Sequence, residues 1–250
     1  MNDNYIHSII KGCKVLELFG KNHELLGITE ISQMLSYPIS TTFRIVSTLE
    51  SCGYLRQDIS SNKYCLGIQN YLNGLKVNMI SELKRISYDG MKEISCHYNE
   101  VTHLSIIEHE KVLCIQKISA NRSLSATPEE GETNYMHATS GGKSMLAFAE
   151  ESTVTKFLNN NELVKLTPQT ITEKASFLEE LKKVREAGYA IDLEESDLGL
   201  TCVGAPIFQS RNKCVAAVSI SIPNIRFHYQ LEEVAEEVKR VAKNISMQLE

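Results

Sequence analysis

The clearest pattern of hydrophobic and polar positions in the chain lies in residues 40–50. At about 100° of rotation per residue, one side of a helix carries four residues at core spacing: Thr42, Ile45, Val46 and Leu49. The opposite side carries Ser40, Arg44 and Ser47, with Phe43 at its margin. An aromatic ring is not expected at the margin of the polar side in a simple amphipathic helix. The pattern therefore predicts a helix whose polar side faces something other than water.

Two shorter helices are predicted upstream. The first is indicated by six residues at helical spacing: Ile6, Ile9, Ile10, Cys13, Leu16 and Phe19. The second is indicated by Ile28, Ile31 and Leu35, and it has to end by Tyr37 because Pro38 disfavours a helical conformation in the residue before it. A new helix that starts about three residues later completes a helix-turn-helix.

Two short β-prone runs follow Gly53. The runs YLRQD and KYCLG are separated by the turn residues 59–62 and predict a hairpin. Three helices and a hairpin describe a winged helix-turn-helix, in which the second helix of the pair lies in the major groove of DNA. We therefore expect the polar side of residues 40–50 to face double-stranded DNA.

Six residues are candidates for DNA contact: Ser40, Thr41, Phe43, Arg44, Ser47 and Lys63. Ser40 fits an N-cap, and its hydroxyl or the helix N-terminus could also bind a phosphate. Arg44 is the strongest candidate for a phosphate or guanine contact. Two alternatives stay open: Phe43 could pack against Tyr54, and Lys63, near the tip of the hairpin, could be an ordinary surface lysine.

The remainder of the chain mixes strands with helices. VTHLSII and VLCIQKI predict a hairpin, and YAIDLE, CVGAPIF and CVAAVSISI predict further strands. Helices are expected near 140–149 and over 172–187, the latter ended by Gly188. A long final helix is marked by Leu231, Val234, Ala235, Val238, Val241, Ala242, Ile245 and Leu249. This order predicts an α+β domain with a largely antiparallel sheet.

Length and composition narrow the class of protein. A chain of 250 residues, 42% hydrophobic and 23% charged, is typical of a soluble protein with two domains. It contains no run of about 18 apolar residues, so we expect a cytoplasmic protein without membrane segments. The seven cysteines are odd in number and include no Cys-x-x-Cys pair, so we expect neither a zinc site nor another cofactor.

The net charge of −5 is unevenly distributed. Residues 1–72 hold six basic and six acidic side chains, so the rest of the chain carries the whole negative charge. A protein that coats nucleic acid by bulk electrostatics is excluded by this balance, whereas a local DNA site is not.

The segment over residues 28–67 resembles the DNA-binding domain of IclR-type bacterial transcriptional regulators. It carries Ser-Thr-x-x-Arg, Leu-Glu-x-x-Gly-Tyr and Tyr-x-Leu-Gly in that order. MHATSGGKSMLA at 136–147, REAGYAIDLEESDLGLTCVGAPIF at 185–208 and AVSISIP at 217–223 are similar to the later signatures of the family. The resemblance thus covers nearly the whole chain.

The resemblance implies a domain order and a mode of action. We expect a winged helix-turn-helix in 1–72, a linker helix in 73–90 and a GAF-like effector-binding domain with a mainly antiparallel sheet in 91–250. Family members bind operator DNA as dimers that often pair into tetramers, and a small molecule modulates that binding. Members both activate and repress, and neither the effector nor the operator can be read from the sequence.

The segment SGGKS could suggest a phosphate-binding P-loop, but His137 stands where that motif needs its first glycine. What remains is a turn of Ser140, Gly141 and Gly142 that opens a helix. Free backbone N–H groups and the helix dipole favour a small anion there, such as a carboxylate. The alternative is that the glycines only allow close packing of the helix on the sheet.

The resemblance also implies further residues of the ligand site: Asn134, Ser140, Gly141, Asp192, Cys202, Ser219 and Ser221. The spacing of Ser219 and Ser221 places both hydroxyls on one face of a strand. Asp192 would repel a carboxylate unless it is protonated or bonded to a ligand hydroxyl, which favours a ligand with hydrogen-bond donors.

Two other classes of function compete with a regulator. A thiol enzyme could pair Cys202 with His137 or His103, but no motif supports it and Gly-x-Ser-x-Gly is absent. A protein-interaction module with a degenerate DNA domain would fit the uncharged first third. The joint presence of Ser40, Thr41, Arg44 and Lys63 argues against it, so we expect a regulator and not an enzyme.

Overall fold

The computed structural model describes residues 5–20, 23–119, 128–209 and 213–249. The chain divides into two compact units, residues 1–81 and residues 82–250. We call them unit 1 and unit 2 and describe each by itself.

Unit 1 is a winged helix-turn-helix, as the hydrophobic pattern predicts. Its elements are α1 (His7–Leu16), α2 (Ile28–Leu35), α3 (Ile39–Ser51), β1 (Leu55–Gln57), β2 (Tyr64–Leu66) and α4 (Ile68–Gly74). The strands β1 and β2 pair antiparallel as the wing. The core is formed by Val15, Phe19, Leu26, Ile31, Val46, Leu55 and Tyr64. The predicted inner stripe of α3 is confirmed, because Thr42 and Val46 are fully buried.

The start of α3 differs from the prediction. Pro38 occupies the N-cap position, so Ser40 lies inside the first turn and the N-cap role expected for it is wrong. The carbonyl of Pro38 accepts hydrogen bonds from the Thr42 amide at 2.9 Å and from its hydroxyl at 3.2 Å. Proline has a backbone φ of −56° here, which already suits the first turn, so the helix begins directly after it.

The segment predicted as a linker helix, 73–90, contains parts of two helices. It holds the end of α4, residues 75–77, and the first half of α5 (Asn78–Tyr98). The expected boundary at 90/91 falls inside α5, where Gly90 packs against a valine of the last helix.

Unit 2 is built around one antiparallel sheet. Its strands are β3 (Val101–Glu108), β4 (Lys111–Ile118), β5 (Thr133–Asn134), β6 (Ala190–Leu193), β7 (Leu200–Gln209) and β8 (Lys213–Pro223). Their order in the sheet is β5-β4-β3-β8-β7-β6, and each pairing is antiparallel. The helices are α5, α6 (Ser140–Ala147), α7 (Glu151–Asn160), α8 (Lys174–Ala187) and α9 (Leu231–Met247), with a 3-10 turn at Asn224–Arg226. The α+β prediction is confirmed, although α7 and β5 were not predicted.

The two faces of the sheet carry different partners. Thr102 donates its hydroxyl to the Met91 carbonyl of α5, so the even-numbered side chains at this end of β3 face α5. Successive side chains of a strand alternate between faces, so His103 points to the other side. On that side the N-terminus of α6 lies against Gly204 of β7, where an added Cβ would be 2.9 Å from the Ser140 carbonyl carbon. The absence of a side chain at Gly204 therefore allows α6 to approach the sheet.

Candidate functional site

The residues predicted to contact DNA on α3 form one surface of unit 1, which we call the α3 surface. Ser40, Phe43 and Arg44 are exposed, and Thr41 and Ser47 are partly exposed. Phe43 keeps 54% of its surface accessible, so it is not packed away as a core residue. An exposed ring beside an exposed guanidinium suits contact with base edges and phosphates.

Lys63 on the wing is paired with Glu30 in the structure. Its ammonium lies 2.8 Å from Oε1 of Glu30, and both side chains remain partly accessible. The Gly27 amide donates to the other oxygen of Glu30 at 2.6 Å. These two contacts, the backbone hydrogen bond first, lower the pKa of Glu30. An exposed pair of this kind is weak, so a phosphate could replace the carboxylate as the partner of Lys63.

In unit 2, strand register assembles a polar floor on the face of the sheet below α6. Asp192, Cys202 and Ser221 are directly paired across β6, β7 and β8. The next row on the same face contains Gly204, Ser219 and His103. Side chains that are far apart in sequence therefore meet at one place.

A cavity of about 40 Å³ lies between this floor and the N-terminus of α6. Seven of the eight residues predicted for the ligand site line it: Asn134, Ser140, Gly141, Asp192, Cys202, Ser219 and Ser221. Gly142 does not. A Cβ on Gly142 would meet the backbone of Met136, with the Met136 Cα 2.5 Å away, so this glycine serves close packing. The packing alternative is correct for Gly142.

The N-terminus of α6 retains backbone donors that could bind an anion. Thr139 is the N-cap, and its hydroxyl oxygen accepts from the Gly142 amide at 3.2 Å. The Gly141 amide has no hydrogen-bond partner in the part of the chain that the structure describes. A free N–H at the positive end of a helix favours an anion in front of it. Of the amides expected to be free, that of Gly142 is therefore used by the N-cap, whereas that of Gly141 remains free.

The carboxylate of Asp192 is hydrogen-bonded to residues that follow it closely in the chain. Its Oδ1 accepts from the Glu195 amide at 2.7 Å and the Ser196 amide at 3.2 Å, and its Oδ2 accepts from the Ser196 hydroxyl at 2.6 Å. Burial raises the pKa of this carboxyl, while these hydrogen bonds oppose the rise. Asp192 thus holds the turn after β6 and borders the cavity, instead of offering an unpaired carboxylate to a ligand.

Lys143 of α6 belongs to a buried ion-pair cluster. Lys143 is fully buried, and its ammonium contacts the carboxylates of Glu195 and, at 3.3 Å, Glu180. Because Glu195 follows the Asp192 turn, this pair fixes α6 to the loop that borders the cavity. Leaving either charge unpaired in this environment would be strongly destabilising.

Cys202 has the chemistry of a buried thiol. Burial and the neighbouring Asp192 carboxylate raise its pKa well above the usual range. Its S–H donates to the Ser221 hydroxyl at 3.1 Å. Because only a thiolate is a good nucleophile, this environment opposes the thiol-enzyme alternative. His137, one of the two histidines of that alternative, has its Nε2 3.0 Å from the Val164 carbonyl oxygen.

Several residues of the cavity wall were not predicted. His103, Ser105, Thr139 and Ser196 line it as well. His103 and Ser105 are two positions apart on β3, the same spacing that places the hydroxyls of Ser219 and Ser221 on one face of their strand. That signal was present in VTHLSII and could have been used.

Metal sites and membrane spans are absent from the described residues. They contain no group of three or more histidine, cysteine, aspartate or glutamate side chains placed to hold a metal ion. None of the helices in the described ranges is both long enough and apolar enough to span a membrane.

Comparison with known proteins decides the family. The model of the IclR helix-turn-helix domain matches residues 8–58, and the model of the bacterial transcriptional regulator IclR C-terminal domain matches residues 77–247. The chain belongs to the IclR family of bacterial transcriptional regulators. It is a sequence-specific DNA-binding protein with a helix-turn-helix domain and a C-terminal effector domain.

Curated relatives match along nearly the whole chain. The chain is 31% identical over 245 residues to the HTH-type transcriptional regulator KdgR of Escherichia coli, covering 98% of this chain and 93% of that one. It is 27% identical over 246 residues to the transcriptional repressor IclR of the same organism, covering 97% and 89%.

Solved structures share the architecture. The crystal structure of the Thermotoga maritima IclR has a TM-score of 0.77 and 28% identity, covering 98% of this chain and 99% of that one. An IclR homologue from Microbacterium hydrocarbonoxydans, crystallised in complex with 4-hydroxybenzoate, has a TM-score of 0.88 and 24% identity, covering 97% and 98%. The latter match supports the fold.

Proposed function

We propose that this IclR-family regulator binds a small carboxylic acid in the unit 2 cavity and that this binding changes its affinity for operator DNA. The observation that carries the proposal is the unpaired Gly141 amide at the N-terminus of α6, because Gly141 lines the same cavity as Ser219 and Ser221. A carboxylate placed there would accept hydrogen bonds from the helix on one side and from the strand on the other.

The size of the cavity limits the acid. A volume of about 40 Å³ holds a few water molecules, which is far less than the several hundred Å³ typical of drug-sized ligand pockets. A short aliphatic acid needs little rearrangement, whereas an aromatic acid requires α6 or a neighbouring loop to move. The 4-hydroxybenzoate in the Microbacterium hydrocarbonoxydans complex supports a carboxylic acid as the class of ligand.

On the DNA side, we propose that α3 enters the major groove. Arg44 and Phe43 would reach base edges or phosphates, with Ser40, Thr41 and Ser47 beside them and Lys63 of the wing at the backbone. This assignment rests on their exposure along one side of α3, opposite the buried Thr42 and Val46. One such helix reads only a few base pairs, so two copies are needed for a useful operator.

We propose that unit 1 supplies part of the contact between two copies. Ile68, Tyr71, Leu72 and Leu75 follow helical spacing on α4 and its C-cap, and all four are exposed. Ile68 and Tyr71 retain 67% and 63% of their surface. A contiguous exposed apolar stripe of this kind is typical of a protein interface. A homodimer, or a homotetramer of two dimers, would cover it.

The ligand claim is tested by isothermal titration calorimetry on the full chain with propionate, butyrate, lactate and benzoate. Gly141→Leu should abolish binding because its side chain fills the space in front of the free amide. Gly141→Ala is the matched control, since its Cβ would make ordinary 3.9 Å contacts with Ala217 and Ser105. Equal affinity for an acid in the wild type and in Gly141→Leu would place the ligand elsewhere.

A further inference from the structure

Most polar groups around the unit 2 cavity can donate a hydrogen bond. The Gly141 amide is free, and the hydroxyls of Ser105, Ser140 and Ser219 have no hydrogen-bond partner among the described residues. The Ser221 hydroxyl accepts from Cys202, which leaves its own proton available. This set suits the carboxylate end of an acid, whose oxygens only accept.

His103 differs from these donors. It lines the cavity with 3% of its surface exposed, and its Nε2 has no hydrogen-bond partner within the described part of the chain. The ring is hydrogen-bonded to the backbone of Pro128. Because proline has no N–H, only the Pro128 carbonyl can be the partner, so the bonded nitrogen, Nδ1, must carry the proton.

The charge state of His103 determines whether its Nε2 can accept a hydrogen bond. Burial, followed by the nearby positive charge of Lys117, lowers its pKa to about 4. The Lys117 ammonium is itself paired with Glu129 at 2.7 Å, and the Glu129 charge opposes the shift only weakly. The imidazole is therefore neutral at physiological pH, with its proton on Nδ1 and a lone pair on Nε2. His103 thus presents a buried hydrogen-bond acceptor to a cavity otherwise rich in donors.

We propose that Nε2 of His103 accepts a hydrogen bond from a hydroxyl group of the effector, so that this regulator selects short hydroxylated carboxylic acids over their deoxy analogues. The proposal rests on the ligand site proposed above and adds a second recognition point to it. A buried acceptor without a partner is unfavourable, and a ligand hydroxyl removes that cost whereas a hydrogen atom in its place does not. His103 would therefore be a specificity-determining residue and not part of the carboxylate-binding end.

The test compares pairs of acids that differ by one hydroxyl, using calorimetry on the full chain. The pairs are propionate with lactate or 3-hydroxypropionate, butyrate with 4-hydroxybutyrate, and benzoate with 4-hydroxybenzoate. In the wild type we expect at least one hydroxylated acid to bind about tenfold or more tightly than its deoxy partner. In His103→Phe, which keeps a ring but offers no acceptor, that difference should shrink to within about twofold.

His103→Gln is the matched control, because its amide oxygen can replace the acceptor and should restore the preference for the hydroxyl. The wild-type comparison needs no variant, so a folding defect in His103→Phe would not remove the test. Equal affinities within every pair, or an equal decrease for both members in His103→Phe, would overturn the role of His103 while leaving the ligand site standing. Absence of binding across all the acids, or undiminished binding in Gly141→Leu, would instead overturn the proposed function itself.

Discussion

Gly141 and Gly142 are adjacent in the chain but have separate roles in the structure. Gly142 lies against the Met136 backbone, and its amide is capped by Thr139. Gly141 lines the cavity, has ordinary distances to its neighbours and keeps a free amide. The sequence indicated both roles for the pair of glycines without assigning either role to one of them, because the packing distance depends on where the chain before α6 runs.

This division predicts opposite outcomes for two alanine substitutions. Gly142→Ala should destabilise unit 2 by about 1 to 3 kcal/mol or more. Its Cβ would overlap the Met136 backbone, which cannot move away as a flexible side chain could. Gly141→Ala should change stability by less than about 1 kcal/mol, because the methyl group fits and alanine favours the helix. Urea unfolding followed by circular dichroism measures both, and a Gly142→Ala protein as stable as Gly141→Ala would refute the close packing.

The buried neutral state of His103 predicts a pH dependence of stability. An unfolded histidine takes up a proton below about pH 6.5, whereas the folded His103 resists it until about pH 4. Its contribution is therefore fully present above pH 6.5 and decreases as the pH falls from 6.5 to 4. The decrease amounts to roughly 3 kcal/mol, at about 1.36 kcal/mol per pKa unit.

His103→Gln removes this titration. The free energy of unfolding of the wild type should fall relative to the variant between pH 6.5 and 4, and the carboxylates common to both cancel in the difference. Parallel stability curves for the two proteins over that range would show that folding does not lower the pKa of His103.

At the scale of elements, α3 was predictable and its first turn was not. The alternation of Thr42, Ile45, Val46 and Leu49 against Ser40, Arg44 and Ser47 determines which side is buried, whatever the neighbours are. The exact start of the helix depends on the backbone geometry at Pro38, which the sequence does not specify. Ser40 was therefore interpreted as the N-cap, whereas Pro38 occupies that position. Helix boundaries follow from local backbone geometry that periodicity does not report.

The orientation of α3 predicts the effect of Arg44→Ala. Operator binding should weaken by about 1 to 3 kcal/mol for each base or phosphate interaction that the guanidinium makes, with folding unchanged because Arg44 is exposed. Lys14→Ala is the matched control, since Lys14 is an exposed basic residue of α1 outside the α3 surface. Fluorescence anisotropy with an operator duplex selected by the wild type measures both, and equal weakening in the two variants would mean that only bulk charge matters.

The site in unit 2 shows a different limit of sequence interpretation. Ser219 and Ser221 were implied by the family resemblance, and their spacing placed both hydroxyls on one face of a strand; His103 and Ser105 have the same spacing. The neighbours of these residues, however, are set by the pairing of β3 with β8 and of β8 with β7, which brings β3 beside a strand more than a hundred residues later in the chain. Register of this kind is fixed by the fold and not by any local pattern.

At the scale of the whole molecule, the account requires two copies of the chain. The exposed stripe on α4 predicts that Tyr71→Glu combined with Leu75→Glu weakens self-association. Light scattering at micromolar concentration should then find dimers or tetramers in the wild type and a shift toward monomer in the variant. Two glutamates placed instead at His7 and Ser8, which are exposed on α1, provide a control for added charge on a helix. An unchanged oligomeric state in the α4 variant would remove the stripe from the interface.

The central claim is that occupancy of the unit 2 cavity changes DNA binding. The most direct test is an anisotropy titration of the operator duplex, with and without a saturating concentration of the acid that binds best in calorimetry. In the wild type, the acid should change operator affinity about fivefold or more, as is usual for allosteric coupling. In Gly141→Leu, operator affinity should equal that of the ligand-free wild type and should not respond to the acid. An acid that binds the wild type without altering operator affinity, or that still alters it in Gly141→Leu, would contradict the account.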